Sequence, residues 1–272
     1  MTILRVFPRR TSFTPDDALA FVGDPPLWRP EADVVHVSCT FTWDVPEAER
    51  LAAAWQQYYP VVRLGGPALD GPLDEFVPGR YVRNGVTFTS HGCNNHCPWC
   101  LVPSREGALR EIAAFAPGHI VQDNNLLQCS REHQSRVFAM LRGKPQAATF
   151  SGGIDARLVD SWFASQVRTI RVKRLFLACD TDNALDALRS AVEHLAFLGR
   201  NKLFCYVLIG RESLSQAEAR LRAVWDAGCI PFAQLYQPSD RFIGYDREWR
   251  NWARAWSRPA LIRTRMKAEA MQ

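Results

Sequence analysis

Residues 174–210 read RLFLACDTDNALDALRSAVEHLAFLGRNKLFCYVLIG, with two near-continuous apolar runs on either side of a segment with helical periodicity. Apolar runs of this kind are typical of parallel strands that are covered on both faces. Gly199 closes the helical segment, as glycine commonly does at the C-terminal end of a helix. The stretch therefore predicts a strand, a crossover helix and a second parallel strand, which together form a βαβ unit.

The same alternation extends in both directions along the chain. Further strands are predicted at 86–89, 119–123, 147–151 and 230–235. Helices are predicted at about 104–115, 131–141, 156–167, 183–198 and 214–227. Six βα units with short loops predict an α/β fold, a partial (β/α)6 TIM-like barrel of parallel strands. In such barrels the active site lies at the carboxyl ends of the strands.

Three cysteines follow the first predicted strand of this series. Cys93, Cys97 and Cys100 have the spacing C-x3-C-x2-C. Thiolates are the usual ligands of iron–sulfur clusters, so this one loop would hold three irons of a [4Fe-4S] cluster. The fourth iron would stay open to a small molecule, and we expect the chemistry to take place there.

A zinc site is the alternative for the same cysteines. Zinc takes four Cys or His ligands in structural sites, so His91, His96 or Cys129 would have to complete it. A zinc module commonly has a second C-x2-C or H-x3-H pair, and the sequence contains none. This favours the cluster over a zinc-stabilised nucleic-acid-binding protein without redox chemistry.

The cysteine spacing, its place after a strand and the aromatic Trp99 resemble the signature of the radical S-adenosylmethionine (radical SAM) superfamily. The resemblance implies a six-stranded partial barrel over about residues 86–236. It implies that S-adenosylmethionine binds the open iron, with Cys93, Cys97 and Cys100 as the catalytic cluster ligands. The reduced cluster would cleave it to a 5'-deoxyadenosyl radical that abstracts hydrogen from the substrate, and a flavodoxin- or ferredoxin-like protein would donate the electron.

The resemblance also implies S-adenosylmethionine-binding residues at the strand ends. In this family a Gly-Gly-Glu-like element after the second strand receives the amino group, and this chain has Asp123-Asn124-Asn125 there. The segment 152–154 resembles that element in letters but lacks the acid. The remaining candidates are Asp155 and Arg157 for the ribose hydroxyls or the carboxylate, Asp180 for the ribose or the substrate, and Leu208 and Gly210 for adenine. Helix capping, a solvated arginine and a turn glycine are the alternative interpretations of these positions.

Residues 1–80 contain a small β-α-β pattern before the cysteines. Predicted strands at 33–39 and 61–67 flank a helix with Pro46 in its first turn. The pattern resembles part of the flavodoxin-like cobalamin-binding domain that precedes many radical SAM cores. The cobalt-ligating D-x-H-x-x-G element is absent, and His36 lies in the middle of a strand. We therefore expect a truncated domain without tightly bound cobalamin, with a cobalamin-dependent radical SAM methyltransferase as the alternative.

Residues 241–272 form a basic C-terminal helix and tail behind the core at 81–240. Trp249, Trp252 and Trp256 have helical spacing and are predicted to close the bottom of the barrel or to pack on the N-terminal unit. Arginines stand at 241, 247, 250, 254, 258, 263 and 265. They form a solvated helix face or contact a nucleic-acid backbone. A nucleic acid or nucleotide is therefore one candidate substrate, beside a peptide or a small metabolite.

The composition of the 272-residue chain fits an enzyme with one or two domains. Hydrophobic residues make up 47% of the sequence, enough for a large core. The sequence shows no secretory leader and no membrane-spanning run, so we expect a cytoplasmic protein, without a membrane partner, whose eight cysteines stay reduced. A net charge of +5 permits an anionic partner without requiring one.

Overall fold

The computed structural model describes residues 1–69, 77–238 and 242–269. The chain divides into two compact units, Met1–Val86 and Thr87–Gln272. Each unit has a sheet whose strands pair in parallel. The α/β class predicted from the sequence is therefore confirmed.

Within its described residues, the first unit has a four-stranded sheet, one α-helix and a short 3-10 helix at Thr42–Asp44. Its elements are β1 (Ile3–Phe7), β2 (Ala20–Val22), β3 (Val34–Ser38), α1 (Val45–Gln56) and β4 (Val62–Gly65). The strand order is β2-β1-β3-β4. Leu51 and Trp55 of α1 pack on Leu4 and Val35 of the sheet. The sequence analysis did not predict β1 and β2, because β1 contains a charged residue, Arg5, which is buried and paired with Asp17.

The second unit contains a six-stranded sheet. Its strands are β5 (Val86–Thr87, at the boundary between the units), β8 (Ile120–Val121), β9 (Ala148–Ile154), β10 (Val172–Ala178), β11 (Leu203–Ile209) and β12 (Ile230–Leu235). They lie in sequential order, and the pairings from β8 to β12 are parallel. Two short strands, β6 (Ser90–His91) and β7 (Arg110–Glu111), form a separate antiparallel pair. The helices are α2 (Val102–Arg105), α3 (Arg131–Arg142), α4 (Ser161–Arg168), α5 (Leu185–Leu195), α6 (Leu214–Asp226), α7 (Arg247–Ala255) and α8 (Pro259–Glu269).

The two faces of this sheet are closed in different ways. Residues such as Leu177 and Val207 share the main apolar core with Leu188 of α5 and Leu221 of α6. The opposite face carries an aromatic cluster, made of Phe176, Phe204, Tyr206 and Phe232. The ring centroids of Phe176 and Tyr206 are 4.6 Å apart, and those of Tyr206 and Phe232 are 5.7 Å apart. Apolar alternation along the strands therefore separates a helix-covered face from a ring-filled face.

The helix predicted at about 104–115 is wrong. Only the four residues of α2 are helical, and Gly107 then has φ +75°, a backbone conformation that ends the helix. The Leu109 N–H donates to Asn94 Oδ1 at 3.0 Å, and the Ile112 N–H donates to the Thr89 carbonyl at 2.9 Å. These backbone N–H groups are bonded to Asn94 of the cysteine loop and to Thr89, which precedes the loop. The segment therefore forms β7 where the helix was expected.

Other boundaries differ for identifiable reasons. The strand predicted at 119–123 has only two residues, whereas β9 continues to Ile154 through a register shift against β10. Gly152 and Gly153 lie in that irregularity: a Cβ on Gly152 would overlap the Asp123 carbonyl oxygen, and Gly153 has φ +95°. The basic C-terminal segment forms two helices, α7 and α8, instead of one helix and a tail. Within the described residues, no helix is long and apolar enough to cross a membrane.

Candidate active site

A cavity of about 620 Å³ lies at the carboxyl ends of the strands in the second unit. Every predicted site residue lines this cavity except Asp123 and Gly210. The lining ones are Cys93, Cys97, Cys100, Asn124, Asn125, Asp155, Arg157, Asp180 and Leu208. Loops that follow different strands supply them, so the expectation that polar strand ends meet at one edge is confirmed.

The cysteine loop is held from behind by backbone contacts. The Cys93 N–H donates to the Gly107 carbonyl at 3.2 Å, and the Cys100 N–H donates to the Cys97 carbonyl at 3.0 Å. Gly92 has φ +76°, and a Cβ on it would overlap the Ala108 carbonyl oxygen. Only glycine fits this close approach, which fixes where the loop begins.

Glu106 is a site residue that the sequence analysis did not single out. Its Oε2 accepts the Gly92 N–H at 2.9 Å and the Asn124 Nδ2 at 2.6 Å. His91 Nδ1 lies 3.4 Å from the same oxygen. A hydrogen bond from His91, together with the smaller effects of Gly92 and Asn124, outweighs burial and lowers the pKa of Glu106. The carboxylate therefore ties the start of the cysteine loop to the end of β8. The sequence offered one indication of this role, because Glu106 directly precedes the glycine at which α2 ends.

The two residues after Cys93 also have a structural role. The Asn94 N–H donates to Gln128 Oε1 at 2.8 Å, and Gln128 Nε2 donates to Asn95 Oδ1 at 3.0 Å. Gln128, which the sequence analysis also missed, thus clamps the loop through both ends of its amide. No local pattern marks this residue, because its partners lie more than thirty positions away.

The Asp155 carboxylate accepts hydrogen bonds from several side chains that line the cavity near Cys93. It accepts Arg157 Nε at 2.9 Å and Nη2 at 2.6 Å, Asn95 Nδ2 at 3.0 Å and Asn125 Nδ2 at 3.4 Å. Burial alone would raise the pKa of Asp155, but the hydrogen bonds from Arg157 and Asn95 outweigh it and lower the pKa. The predicted capping role is present too, because Asp155 also accepts the Arg157 N–H.

Asn125 presents an acceptor without a partner. The residue is 3% exposed, and its Oδ1 is buried without a hydrogen bond. Its Nδ2 points to Asp155 and lies 3.9 Å from Cys93 Sγ. A buried unsatisfied carbonyl oxygen costs free energy unless a bound group donates to it. This side chain therefore fits a donor inside the cavity.

Asp180 joins the far wall of the cavity to the cysteine loop. Its Oδ1 accepts the Leu208 N–H at 2.9 Å, and its carboxylate also interacts with the Trp99 side chain. Burial raises the pKa of Asp180 despite these hydrogen bonds. Arg211 stacks over the Trp99 ring, 4.3 Å from its centroid. The aromatic residue of the cysteine motif is thus enclosed between a carboxylate and a cation.

The structure does not bring Asp123 to the cavity, which corrects its predicted contact with S-adenosylmethionine. Its Oδ1 accepts the Thr89 N–H at 2.6 Å, and its Oδ2 is hydrogen-bonded to the Thr89 hydroxyl. His133 Nε2 lies 3.0 Å from Thr89 Oγ1, and Arg136 Nη2 lies 2.9 Å from His133 Nδ1. Arginine only donates, so the contact with Arg136 makes His133 Nδ1 an acceptor, and burial lowers the pKa of His133. Asp123 therefore anchors the segment that leads into the cysteine loop.

Gly210 also lies outside the cavity, so its predicted contact with adenine is not supported. It has φ +96°, and a Cβ on it would overlap the Tyr245 ring. The Tyr245 hydroxyl donates to the Tyr236 carbonyl at 2.8 Å and lies 3.3 Å from the Gly210 carbonyl. The glycine makes room for an aromatic side chain of the protein itself.

The three loop cysteines differ from the other five. Burial, with smaller effects from neighbouring thiols, raises the pKa of Cys97 and Cys100. The remaining thiols are buried: Cys39, Cys129, Cys179, Cys205 and Cys229. Within the described ranges, no three His, Cys, Asp or Glu side chains already form a metal site. Three soft thiol donors on one loop nevertheless fit an iron–sulfur cluster in chemical type.

The histidines considered as metal ligands are placed differently. His36 in the first unit is 1% exposed, and its Nδ1 lies 2.6 Å from the Tyr81 hydroxyl. His91 is beside Glu106, and His96 is exposed.

No family model matches the sequence, and no curated protein matches it.

Proposed function

We propose that this protein is a radical SAM enzyme, with a [4Fe-4S] cluster on Cys93, Cys97 and Cys100. The observation that carries the proposal is the position of all three cysteines on the lining of a cavity at the strand ends. One loop contributes all three thiols, and polar groups from four other strand ends face them.

The sheet topology supports a partial (β/α)6 barrel. Its six strands follow one another in sequential order, without the reversal that produces a crevice in doubly wound sheets. Crossovers between parallel strands are right-handed in nearly all proteins. Right-handed crossovers that all advance in one direction put every helix on the same face. In a partial barrel, the other face would enclose the cavity and the aromatic cluster.

The chain's own residues suit S-adenosylmethionine beside the loop. Asn125 Oδ1 would accept a hydrogen bond from the ammonium group, which satisfies the buried acceptor. Arg157 and Asp155 offer a donor and an acceptor to the carboxylate and the ribose hydroxyls. The Leu208 side chain gives the adenine ring an apolar wall, while its backbone N–H and carbonyl are already bonded to Asp180 and Arg220.

Cys93, Cys97 and Cys100 would hold the cluster, which when bound would supply the electron that starts radical chemistry on a substrate in the cavity. The protein contributes enclosure and orientation. A cavity of about 620 Å³ is within the range that encloses a cofactor-sized ligand. In its described lining, the charged side chains Asp155, Arg157 and Asp180 are engaged with protein groups.

The cobalamin-dependent alternative rests on the first unit. Its strand order, β2-β1-β3-β4, is that of flavodoxin-like sheets, which supports the flavodoxin-like resemblance of residues 1–80. His36 is enclosed within this unit beside Tyr81. We therefore place the radical SAM reaction, rather than cobalamin-dependent methyl transfer, as the leading function.

The test is anaerobic reconstitution with iron and sulfide, followed by EPR of the dithionite-reduced protein with and without S-adenosylmethionine. We expect a [4Fe-4S]+ signal that changes when S-adenosylmethionine is added. Cys97→Ala should abolish the signal, while Cys229→Ala, which removes a buried thiol far from the loop in sequence, should retain it. Asn125→Leu should retain the cluster and weaken the response to S-adenosylmethionine.

Metal analysis of the same samples separates the alternatives. Stoichiometric zinc that resists replacement by iron would overturn the enzyme and support the zinc-stabilised binding protein. A corrinoid that co-purifies would support the methyltransferase.

A further inference from the structure

We propose that a single-stranded nucleic acid binds along the arginines of α7 and inserts one base into the cavity. The basic row consists of Arg247, Arg250, Arg254 and Arg258. The identity of this ligand as substrate rests on the proposed function, whereas the binding of its backbone to the basic row does not.

The geometry of α7 separates two chemical faces. At about 100° per residue, Arg247, Arg250 and Arg254 fall within one narrow sector of the helix. The opposite sector carries Trp249 and Trp252, which pack against the main core. The arginines are exposed, and Arg258 continues the row just beyond the helix. Packing of the tryptophans on the core therefore fixes the orientation of α7, with its arginines on the exposed side.

The cations of the row are not neutralised by the protein. Among the described residues, Arg247, Arg254 and Arg258 have no carboxylate within salt-bridge distance. Arg265 of α8, in contrast, is paired with Glu218 and Glu269. The acids nearest in sequence point elsewhere, because Asp246 caps the helix by accepting the Trp249 N–H and Glu248 lies about a quarter turn away. Unpaired arginines in a row fit the evenly spaced phosphates of a nucleic acid.

Contacts connect the start of this row to the rim of the cavity. Arg250 Nη1 donates to the Tyr245 carbonyl at 2.6 Å, and the Tyr245 hydroxyl donates to the carbonyl of Tyr236. Tyr236 lines the cavity. The exposed Arg211 lies 5.8 Å from the Tyr236 ring centroid and adds another cation at the rim. A phosphate backbone that follows the row therefore arrives at the cavity mouth.

The far wall of the cavity suits an uncharged, hydrogen-bonding ring. Asn183 and Gln234 line this wall, and both residues are exposed. Within the described part of the chain, neither side-chain amide makes a hydrogen bond. Asparagine and glutamine amides offer the paired donor and acceptor that match the edge of a base. A base can reach this wall only when it is unpaired, so the ligand is single-stranded.

The test is fluorescence anisotropy with the full-length protein and fluorescein-labelled oligonucleotides of about 12 nucleotides, a length within the usual site size. Probes of one sequence as single-stranded RNA, single-stranded DNA and duplex RNA are compared from about 50 to 200 mM salt. We expect tighter binding of the single strands. The two single-stranded probes distinguish RNA from DNA as the source of the phosphates.

The double variant Arg247→Glu/Arg254→Glu should weaken binding at least about tenfold at low salt and reduce the salt slope by about 1.4, for two lost phosphate contacts. The matched control Arg142→Glu/Arg189→Glu makes the same charge change on exposed positions of α3 and α5 and should leave binding near that of the parent. Arg247→Lys/Arg254→Lys should retain most of the affinity. No binding by the parent protein, or an equal loss in the control, would overturn the proposal. Equal affinity for the duplex would overturn base insertion.

Measurements before and after cluster reconstitution separate this inference from the proposed function. Binding that depends on the basic row in a protein that takes up no cluster would retain the nucleic-acid surface and reject the enzyme. A normal EPR response to S-adenosylmethionine without nucleic-acid binding would do the reverse.

Discussion

The two halves of the six-stranded sheet are stabilised by different interactions. The strands β9 to β12 have six or seven residues each and are buried by apolar side chains. The strands β5 and β8 have two residues each, and the segments around them are held by side chains such as Asp123, Glu106 and Gln128. The half of the sheet formed by β9 to β12 therefore depends on apolar periodicity. The cysteine half depends on single polar contacts over long sequence separations.

The largest expected effect is in the apolar half. Phe138 is fully buried, with ring centroids 5.7 Å from Phe163 and 6.1 Å from Phe150. Phe138→Ala should lower the free energy of unfolding by about 3–5 kcal/mol because it removes a large ring and leaves a cavity. Urea unfolding followed by circular dichroism measures this. Phe242→Ala, at a ring that is 66% exposed, is the control and should change little. A loss below 1 kcal/mol at Phe138 would contradict the apolar account of this half.

A smaller loss is expected where the polar half is broken. Asp123→Ala leaves the buried Thr89 N–H and hydroxyl without their acceptor, at about 1–3 kcal/mol. Asp123→Asn keeps an acceptor for the N–H, so it should cost less. If Asp123→Ala unfolds the protein no more easily than Asp123→Asn, the carboxylate does not anchor this segment.

The difference in stability between the parent protein and Asp123→Asn should depend on pH. Burial raises the pKa of Asp123 in the folded state above its ordinary value of 3.8, although hydrogen bonds from Thr89 oppose this. The folded state therefore holds the proton more tightly than the unfolded chain, and the contribution of Asp123 to stability falls as the pH rises from about 4 toward the folded pKa. The penalty of Asp123→Asn relative to the parent should accordingly be smaller at pH 7 than at pH 4. Thermal unfolding at both values measures the difference, and an opposite order would contradict it.

A pair of glycine variants isolates the contribution of the cysteine loop. Gly92 and Gly199 both have positive φ, +76° and +70°, but an added Cβ meets a backbone oxygen only at Gly92. Gly199→Ala measures the conformational strain alone, at about 1–3 kcal/mol, because Gly199 combines φ +70° with ψ +154°. Gly92→Ala should cost more and should also reduce the iron bound per protein after reconstitution. Equal losses in both variants, with full iron content, would show that the close approach at Gly92 does not position the loop.

The sequence was sufficient for the part of the fold in which local pattern and tertiary role agree. The strand Ile230–Leu235 and the helix that begins at Arg131 were predicted because apolar spacing, caps and burial coincide there. The cavity residues were predicted because parallel strands align their carboxyl ends at one edge. The helix at 104–115 was wrongly predicted, because Gly107 and the demands of the cysteine loop outweigh helix propensity.

The errors within the candidate site have a common physical cause. Asp123 and Asn125 are two positions apart, yet only Asn125 lines the cavity, since the carboxylate of Asp123 bonds to Thr89 behind the loop. A strand-end residue can turn to either side, and only its tertiary partners decide which. Glu106 and Gln128 were missed for the same reason, because their backbone and amide partners lie 14 and 34 positions away.

The aromatic cluster has a kinetic consequence. Phe176, Tyr206 and Phe232 fill the sheet face on the amino-terminal side of the cavity, so ligands enter and leave through the mouth at the strand ends. If the proposed S-adenosylmethionine and substrate share this cavity, they should bind in a compulsory order, and the inner one should stay bound until the outer one departs. Under the proposed function, steady-state measurements should therefore show an ordered mechanism, in which the last ligand to bind is the first to dissociate.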